Sequence, residues 1–190
     1  LDDCISEPSP RVVQSLESCP GDILVLGAAG KMGFHVTRML QRCLERLGRD
    51  DTVTAVSRFR SEASLAPFQR FGIPTIRADL SDEGQLTDLP SAANVFFLAG
   101  VKFGTAHDPD LLYRMNSQMP QLVASRFRDS RIVALSTGCV YAFTTAESGG
   151  STEQSETEPP GEYAKSCLAR EQAFIGGAWS YGTPCALVRL

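Results

Sequence analysis

The chain has 190 residues, 43% hydrophobic and 21% charged, the ordinary make-up of one globular domain with a core large enough to fold alone. Its formal charge of −4 argues against binding nucleic acid or an anionic membrane, because those surfaces call for a lysine and arginine excess. No apolar run approaches the ~20 residues that span a bilayer. The six cysteines contain no C-x-x-C pair and no spacing suited to zinc, so they read as reduced thiols of a cytoplasmic protein without a metal site.

The opening residues, LDDCISEPSP, carry acids where a secretory signal has a basic and then an apolar region. Residues 1–20 are read as an N-terminal extension and 21–190 as a single domain. The first strand is expected in DILVLG (22–27). GAAGKMG follows it, with Gly27, Gly30 and Gly33 in a G-x-x-G-x-x-G spacing. Gly27 suits a tight turn, Gly30 lets backbone approach a pyrophosphate, and Gly33 lets the next helix lie close on the sheet, its N-terminus offering free N–H groups to phosphate. That helix shows an apolar stripe of Met32, Val36, Met39, Leu40, Cys43, Leu44 and Leu47.

A second strand is expected over 51–57. It ends in SRFR, so Ser57 and Arg58 stand where an NAD site normally has an acid for the ribose 2′-hydroxyl. A guanidinium there favours the extra phosphate of NADP, with NAD as the alternative cofactor. Strands at 73–78 and 94–100 come next. A helix follows over Leu111 to Phe127, with Leu112, Met115, Met119, Leu122 and Val123 inward and a bend at Pro120. The fifth strand, 131–136, runs into Thr137, whose hydroxyl just past a central strand could hold a substrate oxygen.

Residues 142–162 carry five acids, no bases and many Ser, Thr, Gly and Pro, and read as a long loop. A helix is expected from Tyr163 to about Gly176, and a last strand over 184–190. Mostly continuous apolar strands alternating with amphipathic helices predict an α/β fold, a doubly wound, Rossmann-type parallel sheet with helices on both faces.

With these motifs in register, the chain from about Asp22 to Leu190 resembles the extended short-chain dehydrogenase/reductase family, the nucleotide-sugar epimerases and dehydratases. The resemblance makes GAAGKMG the cofactor loop, offering Gly27, Gly30, Lys31, Met32 and Gly33, and sets Asp79 and Leu80 of RADL against adenine. It places Ala99 and Gly100 of LAGVK against the cofactor, Lys102 near its ribose, and Asn116 of YRMNSQ in a structural role. LSTGCVYAF resembles the family's S-S-x-x-V-Y-G signature, with Thr137 on the catalytic Ser/Thr position. GEYAKSCLARE resembles the Y-x-x-x-K helix start, with Tyr163 as catalytic acid/base and Cys167 where the family has its Lys.

In that family the Lys binds the nicotinamide ribose and lowers the Tyr pKa, and a thiol does neither. Lys165 points to another side of the helix. The resemblance therefore implies NAD(P) binding and a small-molecule substrate, with an alcohol or carbonyl as the reacting group. A noncatalytic NADP-binding sensor or scaffold is the other reading. It also leaves room for a homodimer, and for a substrate-binding part beyond Leu190.

Overall fold

The computed structural model describes residues 1–102 and 108–190. Six strands form one parallel sheet in the order β3-β2-β1-β4-β5-β6. They are β1 (Ile23–Leu26), β2 (Val53–Ser57), β3 (Thr75–Arg77), β4 (Asn94–Phe97), β5 (Arg131–Ser136) and β6 (Cys185–Arg189). β1 is central. Its Ile23 pairs in register with Val53 of β2 on one side and Asn94 of β4 on the other. The strand order reverses there, so a crevice opens beyond the carboxyl ends of β1 and β4.

Four buried residues in a row, Ile23 to Leu26, explain why β1 shows no polar alternation: both of its faces are covered. Ile23 and Val25 join a core with Val53, Ala55, Phe68 and Ile73. The helices on that face are α2 (Pro10–Glu17), α3 (Gly33–Leu47) and α4 (Glu62–Arg70), contributing among others Leu16, Leu40, Leu44 and Phe68. Leu24 and Leu26 point the other way, into a core with Val95, Phe97 and Ile132. There the cover is α5 (Glu83–Thr87), α7 (Met119–Arg126) and α8 (Gly161–Tyr181), through Leu86, Met119, Val123 and Phe174.

The sequence pattern showed neither the short α1 (Asp2–Ile5) nor α2. Both lie along α3. Glu7 pairs with Arg42 and Arg46, Arg42 reaches the Asp3 carbonyl at 2.8 Å, and Leu16 is buried in the core. The stripe of α3 is close to the expected one, with two differences. Met32 is the N-cap and is exposed, while Thr37 is buried because its hydroxyl donates back to the Gly33 carbonyl at 2.7 Å.

Two expectations about the later helices are corrected. The distortion before α7 is a π turn, Arg114–Gln118, following α6 (Pro109–Tyr113). Pro120 sits in the first turn of α7 directly after this π turn, where its missing N–H removes a bond that an unbroken helix would make. α8 runs on past Gly176 to Tyr181 and stops at Gly182 in the left-handed conformation. Gly177 does not end the helix; a Cβ there would stand 3.1 Å from Ala124 Cβ, so it is the contact point between α8 and α7. No helix among the described residues is long and apolar enough to cross a membrane.

Candidate active site

The turn after β1 is built for close backbone approach. Gly27 has φ +86°, and a Cβ there would fall 2.6 Å from the Ala99 nitrogen. At Gly33 a Cβ would stand 2.1 Å from the Ala28 carbonyl oxygen, so only glycine lets α3 begin this close to the sheet. Gly30 is different, because its backbone is unstrained and the nearest atom to a Cβ would be the Gly27 oxygen at 3.2 Å. What a side chain at Gly30 would occupy is the crevice itself. The α3 N-terminus carries no side-chain cap.

A cleft of about 330 Å³ lies at this switch point. It gathers Gly27, Gly30, Ser57, Arg58, Asp79, Leu80, Ala99 and Gly100 from four separate segments. Lys31 and Met32 are exposed at the α3 entry and do not line it; Thr137, Lys102 and Tyr163 lie outside it as well. Phe59, Arg60, Ser61, Met115 and Met119 are also part of the wall. Phe59 is the informative omission. It holds φ 38°, rare for a bulky residue, and its ring is buried in T-shaped contact with Phe68 at 5.4 Å. That twist sends one side chain of SRFR into the core and leaves Arg58 and Arg60 exposed at the rim.

Arg58 lies 3.9 Å from Asp79. Burial pushes the Asp79 carboxyl up, but two hydrogen bonds from Ser81 and the charges of Arg58 and Arg60 outweigh it and leave the group below its ordinary value.

Past Gly100 a second cavity, about 880 Å³, opens between the start of α8, the turn after β5 and the 142–162 loop. Tyr163, Cys139, Tyr141, Glu153 and Arg189 line it. Lys102 lines neither cavity, but its Nζ lies 5.3 Å from the Tyr163 ring centroid. Thr137 caps the turn after β5 by accepting from the Cys139 N–H at 3.3 Å, which leaves its own hydroxyl proton to donate. Burial first, then the neighbouring Cys167 thiol, push the Tyr163 hydroxyl up to about 12. Cys167 is fully buried; Cys139 is exposed.

Two networks support this region. Asn116, on the π turn, fills all its bonds: Oδ1 accepts from Val101 N (3.1 Å) and Arg170 (2.7 Å), while Nδ2 donates to Val101 O (2.9 Å) and Ser166 Oγ (3.0 Å). Buried Glu171 accepts from Ser136 Oγ (2.5 Å) and twice from Arg189 (2.9 and 2.6 Å), and Arg189 also donates to the Tyr141 hydroxyl at 2.6 Å. The hydrogen bond with Glu171, helped by Tyr141, raises the Arg189 pKa further. The role of Arg170, Glu171 and Arg189 was not legible in the sequence, where they sit in a helix and a strand as ordinary charges. A charged residue in an otherwise apolar last strand, PCALVRL, was the one available signal.

A six-stranded parallel sheet in this order, with a glycine cradle and a cleft at its switch point, defines a protein of the Rossmann class. The chain belongs to the NAD dependent epimerase/dehydratase family, whose model matches residues 23–190. Among solved structures it is similar to a UDP-glucuronic acid 4-epimerase from Bacillus cereus in complex with NAD (21% identity, TM-score 0.71, covering 88% of this chain and 56% of that one). It is similar also to DesIV, a dTDP-glucose 4,6-dehydratase from Streptomyces venezuelae with NAD bound (24%, 0.78, 88% and 55%). A third is MoeE5 in complex with UDP-glucose and NAD (24%, 0.65, 87% and 52%). The chain thus spans little more than half the length of these structures. No curated protein sequence matches it.

Proposed function

We propose that the chain forms the cofactor-binding part of an NAD(P)-dependent oxidoreductase or epimerase/dehydratase, acting in the cytoplasm on an alcohol or carbonyl of a nucleotide sugar. The observation that carries this reading is adjacency. The glycine-lined cleft ends at Ala99 and Gly100, and Lys102, two residues on, lies over the Tyr163 ring at the mouth of the second cavity. The residues fit a dinucleotide: Gly27 and Gly30 leave room for a diphosphate at the uncapped start of α3, beside Lys31, Met32 and Gly33. Asp79 and Leu80 suit the adenine, and Ala99, Gly100, Lys102 and Tyr163 the nicotinamide end. Bound there, NAD(P) supplies hydride exchange with the substrate carbon.

The chain's own part is proton handling. Tyr163 holds the proton for the substrate oxygen, and the free hydroxyl proton of Thr137 polarises that oxygen. Ser57 and exposed Arg58, with no acid at the end of β2, support NADP over NAD. A homodimer is part of the same reading, supported by Ile175, Trp179 and Tyr181, which stand exposed on α8.

The test is calorimetric titration with both cofactors, and turnover on a panel of nucleotide sugars read by chromatography of the sugar products, with cofactor absorbance followed as well for a net oxidation or reduction. NADP should bind more tightly, and Arg58→Glu should reverse the preference. Equal affinities in the unmodified protein would sink the NADP assignment. A second reading, a noncatalytic NADP-binding sensor or scaffold, is favoured by Cys167 at the position we assign to the family's Lys and by the high pKa of Tyr163. Tight cofactor binding without turnover on any substrate would select it.

A further inference from the structure

Tyr163, Cys167 and Arg170 fall at i, i+4 and i+7, on one face of α8. Side chains on a helix lean toward its N-terminus, so the long Arg170 side chain covers the turn that holds Ser166 and Cys167. Its guanidinium is fixed there, donating to Asn116 Oδ1 at 2.7 Å and to the Leu135 carbonyl at 3.2 Å. Asn116 in turn binds Ser166 Oγ at 3.0 Å. A Cβ on Gly100 would stand 2.4 Å from Arg170 Nη2, so the guanidinium fills the back of the wall whose front Gly100 presents to the cleft.

This buried cation donates its hydrogen bonds to neutral oxygens, and the carboxylate of Glu171 acts on it through charge alone. Its Nε has no partner, and among the described residues no carboxylate lies within ion-pair distance of it. The neighbouring Glu171 is spent on Ser136 and Arg189. A buried charge of this kind favours any anion that forms beside it.

Resting on the reading of Tyr163 as the acid/base, we propose that Arg170 is a positioning residue that favours the Tyr163 phenolate from α8's next turn, offsetting part of what burial and the thiol at position 167 do against it. Among the described residues, the titratable groups acting on Tyr163 are Cys167 and Arg170 from α8, Cys139 from the turn after β5 and Lys102 from the segment after β4, while Tyr141, Glu153 and Arg189 line the same cavity. Burial above all, and then the two thiols, push the hydroxyl up, and Arg170 opposes them. Lys102 lies over the ring face. Glu162 and Lys165, one on either side of Tyr163 in sequence, pair with each other at 2.9 Å on the exposed surface.

The experiment places difluorotyrosine, a more acidic phenol, at position 163 of the full chain and follows its ionisation by fluorine NMR. Arg170→Met should move the titration to higher pH, Arg170→Lys should leave it near the parent, and Cys167→Lys added to Arg170→Met should bring it back down. If Arg170→Met fails to fold, Gly100→Ala, whose Cβ drives the guanidinium from its seat, should give the same upward shift. A titration unmoved by Arg170→Met or Gly100→Ala overturns the proposal, as does one that responds to Lys102→Met and not to Arg170. Turnover separates the underlying reading. A Tyr163→Phe protein as active as the parent would remove the acid/base role of Tyr163 and leave the titration result standing.

Discussion

Tyr163 is tuned in the wrong direction for a base. With a hydroxyl at about 12, only ~1 molecule in 10⁵ carries the phenolate at neutral pH, whereas the neutral form that donates a proton is always present. Reduction of a carbonyl should therefore be nearly independent of pH around neutrality, and oxidation of an alcohol should climb as pH rises. Cys167→Lys should raise the oxidative rate at pH ~7 and shift that profile downward, by adding a charge beside the hydroxyl. An unmoved profile would show that position 167 does not act on Tyr163. The same shift bears on stability. The folded pKa lies above the unfolded value near 10, so folding keeps a proton that the unfolded chain gives up, and stability falls as pH rises from ~10 to about 12. Tyr163→Phe should flatten that part of a stability-against-pH curve, measured by denaturant unfolding.

The joints between elements are where single atoms decide the packing. Glu171, 1% exposed, ties α8 to β5 through Ser136 and to β6 through Arg189. Glu171→Gln keeps the shape and removes the charge, leaving the partly exposed Arg189 without its anion, a change of about 1–3 kcal/mol. For a chain of this size that lowers Tm by on the order of 5 °C, readable by calorimetry. Gly33→Ala should cost about 1–3 kcal/mol or more, because its Cβ meets backbone that cannot step aside.

The strands and the long helices were legible because burial on both faces writes continuous apolar runs, as in Ile23–Leu26, and an amphipathic helix repeats its stripe, as in α3. α4 and α5 were not, since nine and five residues give too few turns for a stripe, and Pro67 interrupts the first. The π turn was invisible for a similar reason: the extra residue in its wide turn leaves the apolar spacing of Leu112, Met115 and Met119 looking helical. Of the candidate site, glycine spacing marked the cleft. Phe59 and Arg170 escaped, because a strained φ and a buried guanidinium depend on neighbours far away in sequence.

At the scale of the whole molecule, cofactor binding and stability should be one measurement. A ligand at 100 times its Kd adds about 2.7 kcal/mol, or a Tm rise of ~5–10 °C at this size. Gly30→Val should abolish that rise at a small cost in ligand-free Tm, since its Cβ presses on the Gly27 oxygen at 3.2 Å and its methyls enter the crevice. A full rise in that variant would mean the crevice is not where the cofactor sits. The two cores also differ in when the chain can complete them. The one around Val25, Leu44 and Phe68 is made entirely of early segments. Its partner needs Met119, Val123 and finally Phe174 before Leu24, Leu26 and Val56 are covered. During synthesis, then, the first three strands emerge as a half-dressed sheet, one side closed and the other bare and sticky until α8 leaves the ribosome. A nascent chain stalled before α8 is the form of this protein most in need of a chaperone.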